Sequence, residues 1–178
     1  MKDFLNKYLV KTGLYHLKKE IKKIRRSSAS VSLKAARYVG ILVNVENQKQ
    51  LQEVQKVAAE LQTAQKKVRL LAFTSNKSLQ ANANTNFQLI STKDVNWDLT
   101  PKREKIMNFV NNEFDILINL CTEFCFPLLY VAALSKSLFK VAAYDKKSSA
   151  FYDFMLATEQ QSISGFSAEL KYYLDKIK

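Results

Sequence analysis

The chain has 178 residues, a formal net charge of +12, 47% apolar and 25% charged residues, three glycines and two prolines. That length suits one domain, and the apolar share supplies a core, which excludes a globally disordered chain. So little glycine and proline excludes collagen-like, loop-rich and sandwich-like architectures and favours helices joined to plain strands.

The charge is unevenly spread. Residues 1–37 hold eleven Lys and Arg against Asp3 and Glu20, a balance of +9, while the remainder of the chain carries +3. Within residues 3–26, Leu14, Leu17, Ile21 and Ile24 recur at helical spacing, and Phe4, Leu5, Tyr8 and Leu9 form an earlier stripe. Gly13 stands between the two stripes, where a bend is expected, and "SSAS" at 27–30 is the expected stop. Lys18, Lys19, Lys22, Lys23, Arg25 and Arg26 fill the remaining faces of this basic amphipathic extension, residues 1–34. Charges at Lys2, Asp3, Lys7 and Lys11 interrupt any signal-peptide run, so none is expected.

Residues 35–178 read as one α/β domain. "RYVGILVNV" (37–45) is β-branched and apolar without strict alternation, as in a strand buried on both faces. An amphipathic helix follows at 47–67, with Asn47 as N-cap and Leu51, Val54, Val57 (or Ala58) and Leu61 as its stripe. "VRLLAFT" (68–74) is the second strand, residues 75–86 a polar loop, and "FQLIS" (87–91) the third strand. Thr100 and Pro101 suggest the start of a helix running to about Asn112. "FDILINL" (114–120) is the fourth strand, 124–137 an apolar helix with Pro127 in its first turn, and "LFKVAAY" (138–144) the fifth strand. "FYDFMLA" (151–157) fits strand or helix, and 162–177 closes the chain as a helix burying Phe166, Leu170, Tyr173, Leu174 and Ile177.

Strands alternating with helices predict a three-layer sandwich around a mostly parallel, about five-stranded sheet. Strand order cannot be read directly; if the first strand is central, with strands two and three on one side and four and five on the other, the topological switch falls between strands one and four. A ligand crevice is expected there, lined by Asn44, Glu46, Asn47, Thr122 and Glu123, with Asp145 nearby. "NVENQKQ" contains no glycine, so the fold is Rossmann-like without a dinucleotide motif, and no cofactor is expected.

Cys121 and Cys125 read as packed reduced thiols, and His16, the only histidine, as a surface residue. No zinc site and no histidine-assisted nucleophile is expected from this inventory. Trp97 is expected to cover an edge of the core, and the aromatics of 151–173 to pack inside.

Nearly the full chain resembles a family of small, basic, uncharacterised bacterial proteins, a domain of unknown function. The resemblance rests on the basic N-terminal helix, "VGILVN", "STKDVNW", "FDILINL", "SKSLFKVAAY", "FYDFMLA" and "LKYYLDKI" in that order. It implies the fold and no activity. Separately, "FDILINL" followed by "ALSKSLFKVAAYD" is similar to a local pattern in heptosyltransferase-like glycosyltransferases, which need two such domains.

The leading expectation is a non-enzymatic cytoplasmic accessory protein that binds RNA or ribosomes through Lys18, Lys19, Lys22, Lys23, Arg25 and Arg26. One alternative is a small-molecule binder or enzyme using the crevice. Another is a peripheral module docking on an anionic membrane surface or a protein partner.

Overall fold

The computed structural model describes residues 2–81 and 87–177, with residues 2–6 and 80–81 as backbone only. The expected side-chain stripe at Phe4 and Leu5 therefore lies outside the described residues. The elements run α1 (Lys2–Ile21), β1 (Tyr38–Asn44), α2 (Gln48–Thr63), β2 (Lys67–Thr74), α3 (Lys77–Ala81), β3 (Gln88–Ser91) and α4 (Arg103–Val110). They continue with β4 (Ile116–Asn119), α5 (Phe126–Leu134), β5 (Phe139–Ala143), β6 (Phe154–Leu156) and α6 (Ile163–Leu174).

The described strands form one sheet in the order β3-β2-β1-β4-β5-β6, and every pairing between neighbours is parallel. This is the doubly wound order, with its switch between β1 and β4. The five middle residues of β1 and all four of β4 are buried, because helices cover both faces of the sheet. One core, under α2 and α6, gathers Ile41, Val43, Val54, Leu61, Phe166 and Leu170. The other, under α1, α4 and α5, gathers Leu17, Leu42, Ile106, Phe109, Phe114 and Val131. The N-terminal helix is thus a member of the second helical layer.

Several elements differ from the expectations. The sheet has six strands, not five. The added β6 is three residues long at the edge, and its pairing of Phe154 with Val141 resolves the ambiguous stretch at 151–157. Strand pairing, which local pattern does not reveal, decided it. Helix α1 ends at Ile21 rather than Arg26, through a tightening turn in which Lys23 and Ile24 amides reach Glu20 and Ile21 carbonyls. Arg26 is drawn away by tertiary hydrogen bonds described below.

Helix α4 starts at Arg103, not at Thr100. The Asp98 carboxylate takes the Thr100 hydroxyl and amide, and Pro101 bridges to Val95, so both residues are used before the helix begins. In the stretch expected as a polar loop, Lys77–Ala81 is helical, and residues 82–86 lie outside the described residues. Trp97 does not cover the core; it is 67% exposed. Tyr173 also points outward, whereas Phe166, Leu170 and Leu174 on the same helix are buried as expected. Asn47 does cap α2, its side-chain oxygen accepting from the Gln50 amide at 2.9 Å.

Candidate functional site

Helix α1 is held on the body by three devices along its inward side. At its centre, Leu17 is fully buried, and Leu14, Ile21 and Ile24 pack around it. Gly13 lies within the continuous helix. A Cβ there would stand 2.5 Å from the Phe126 ring and 2.6 Å from the Asp98 carbonyl, so glycine permits α1 to approach the first turn of α5. Beside it, His16 Nδ1 lies 2.7 Å from the Asp98 carboxylate, which is almost wholly buried. Burial alone would raise the Asp98 carboxyl. The Thr100 hydroxyl, His16 and the Thr100 amide outweigh that and hold it below the usual carboxylate range.

Beyond the helix end, the Arg26 guanidinium forks onto Asp153 and also donates to the Ser137 and Leu138 carbonyls. Asp153 in turn accepts from the Lys140 amide at 2.7 Å. Lys140 is itself buried, its ammonium donating to the Ala133 carbonyl at the end of α5. Burial and then the nearby Arg26 charge push its pKa down to about 7, against a smaller opposing pull from Asp153.

The outward side of α1 is different. Lys7, Lys11, Lys18 and Lys19 are exposed, and Lys22, Lys23 and Arg25 continue the exposed series past the helix end. Helical geometry puts Lys7, Lys11, Tyr15 and Lys18 within about 80° of arc over about 16 Å of axis. Tyr8 is 60% and Tyr15 69% exposed among these cations. Glu20, the one acid of this segment past Asp3, is paired with Arg103 at 3.1 Å and does not neutralise the stripe. Of the six cations expected to contact phosphate, Lys18, Lys19, Lys22, Lys23 and Arg25 thus face solvent, and Arg26 is engaged internally.

The crevice at the carboxyl ends of the strands divides the residues expected there. Glu46 turns toward β2, accepting from the Ser75 hydroxyl at 2.6 Å, and Asn47 is occupied as the α2 cap. Thr122 and Glu123 lie on the other side of the switch, in a cavity of about 40 Å³ between the ends of β4 and β5. Its wall also includes Asn119, Cys121, Cys125 and Tyr152. Asn119 donates to the Tyr152 hydroxyl at 2.6 Å and accepts from the Cys121 amide at 3.1 Å. Burial pushes the Tyr152 phenol well above its usual range, so the hydroxyl that accepts from Asn119 stays neutral. Asp145 accepts from the Ser148 amide and so closes a turn at the rim. Asn44 sits at the end of β1, its buried side-chain oxygen without a partner among the described residues.

Sequence reasoning passed over Asn119, Cys121, Cys125 and Tyr152 as members of this cavity. The available signal was Asn119, a lone amide inside the apolar run "FDILINL". Among the described residues, no group of three or more His, Cys, Asp or Glu side chains could hold a metal ion. Nor, among them, is any helix long and apolar enough to cross a membrane.

Comparison with known proteins adds a family and a distant structural likeness. No curated protein matches the chain. A solved structure, E. coli heptosyltransferase WaaC with ADP, superposes with a TM-score of 0.48 at 12% sequence identity, covering 79% of this chain and 48% of that one. The chain therefore spans about half the length of that enzyme. The Family of unknown function (DUF6913) matches residues 10–177, from within α1 to three residues past α6, and the chain belongs to that family.

Proposed function

We propose that the protein is a non-enzymatic, cytoplasmic accessory protein that binds RNA, on the ribosome or free, along the outward side of α1. Lys18, Lys19, Lys22, Lys23 and Arg25 contact phosphates in this reading. The observation that carries it is the docking of α1. With Leu17 buried and Ile21 and Ile24 turned to the body, the helix is fixed and its exposed lysines stay outward, interleaved with Tyr8 and Tyr15. Cations alternating with exposed aromatic rings suit a phosphate backbone with unpaired bases stacked beside it. The inward turn of the apolar stripe also favours a phosphate polymer over a lipid interface, which would need that stripe free.

The test is fluorescence anisotropy with a labelled structured RNA, titrated in salt. The full chain should bind with a log–log salt slope of about −4, as five phosphate contacts require. The variant K18Q/K19Q/K22Q/K23Q/R25Q should lose that binding at an unchanged melting temperature. Equal binding by the two proteins overturns the reading. Arg26 is kept in this variant because its loss would loosen the fold.

A second reading, a small-molecule site, is supported by the cavity of Asn119, Thr122, Glu123 and Tyr152 between β4 and β5. A metabolite that co-purifies with the intact chain and is lost from N119A and E123Q would support it. Its absence from the intact chain counts against it.

A further inference from the structure

The chain has two cysteines, and the structure brings both to the wall of one cavity. Cys121 leaves the end of β4, and Cys125 is the N-terminal cap residue of α5. Neither is assigned a structural task that needs its thiol. The Cys125 side chain makes no capping hydrogen bond to α5. The neighbouring Cys125 thiol and burial hold the Cys121 thiol well above its usual range. Both residues are half-buried on that wall, which Phe124 and Tyr144, both exposed, also line.

We propose that Cys121 and Cys125 are a reversible dithiol–disulfide pair, oxidised by low-molecular-weight disulfides at the mouth of the crevice. The connecting residues Thr122, Glu123 and Phe124 form bends and irregular chain rather than helix or strand, so the short closure can occur without breaking a regular element.

The Cys125 sulfur, as thiolate, attacks one sulfur of the small disulfide, whose S–S bond breaks and releases one small thiolate. Cys121 then attacks Cys125 in the mixed disulfide, forming the protein S–S bond and releasing the second small thiolate. Two protons pass from the protein thiols to the released thiolates, the protein loses two electrons and the small disulfide gains them. Cys125 is given the first attack because its neighbour is the poorer nucleophile: the adjacent Cys125 sulfur and burial push the Cys121 thiol up.

This inference is independent of RNA binding by α1, and its test does not involve RNA. The folded full chain is incubated with excess glutathione disulfide, quenched with acid, and analysed by intact mass and thiol titration. The wild type should lose both thiols and two hydrogens of mass, remain monomeric without reductant, and regain both thiols with dithiothreitol. C121S should stop at a mixed disulfide on Cys125. C125S, in which serine keeps a good helix cap, should form its adduct about tenfold more slowly. Two free thiols in the folded wild type, stable glutathione adducts on it, or disulfide-linked dimers would each overturn the proposal.

Discussion

The inward side of α1 and its outward side are built from the same twenty-residue helix and obey different rules. Inward, Leu17 has no exposed surface, Gly13 permits contact with Phe126, and His16 meets the buried Asp98. Replacing any of the three leaves a hole, a clash or an unpaired group. Outward, the lysines at 7, 11, 18 and 19 are exposed to solvent. The contrast places the charge excess and the apolar seat on opposite sides of one helix, so each can be changed by substitution separately from the other.

Substitutions on the two sides should break or sharpen that contrast in graded order. Leu17→Ala should destabilise the fold by about 3 kcal/mol, because a fully buried leucine leaves a cavity between α1 and the second core. Urea denaturation reads this directly. A loss below about 1 kcal/mol would mean that α1 is seated loosely.

Lys140→Met should move stability the other way, by on the order of 2 kcal/mol at pH 7. The folded-state pKa of Lys140, about 7, lies below its ordinary 10.5, so the unfolded chain binds more protons between those values. Wild-type stability should therefore climb as pH rises from 7 toward 9, and the methionine variant should lack that climb. Denaturation curves at several pH values, compared between the two proteins, test the sign.

Arg26→Gln should cost about 1–2 kcal/mol, since it strips Asp153 and two carbonyls of a forked donor in a partly buried place. A smaller effect is expected at Asp98→Asn, about 1 kcal/mol, with a signature in acid. The Asp98 pKa is held below its ordinary 3.8, so its stabilising contribution is present above that value and is lost as pH falls through the folded-state pKa. The asparagine variant should show a shallower acid limb. At the foot of the scale, the five-glutamine variant of the outward cations should shift stability by less than about 0.5 kcal/mol while abolishing RNA binding.

How far these features could be read from the sequence follows from the range of the forces involved. The strands "VGILVN" and "FDILINL" were legible because burial on both faces leaves continuous apolar runs, and Asn47 because a cap is satisfied three residues away. β6 was not legible, since three residues gain strand identity only by pairing with β5. Helix α4 was misplaced because Thr100 has the look of a cap and is claimed by Asp98 instead. At the carboxyl ends of the strands, Glu46 and Asn47 are engaged by Ser75 and Gln50, and Tyr152 reaches the cavity from beyond β5, contacts that no local pattern encodes.

The sequence by itself determined the alternation of elements, the parallel α/β class and the concentration of positive charge before residue 38, because periodicity and composition are local and additive. Tertiary structure alone decided which cation is structural, that Lys140 is buried, and that two cysteines and a tyrosine share one cavity. Those outcomes depend on contacts between segments such as Arg26 and Asp153, more than a hundred residues apart, whose meeting is fixed by packing rather than by any neighbouring residue.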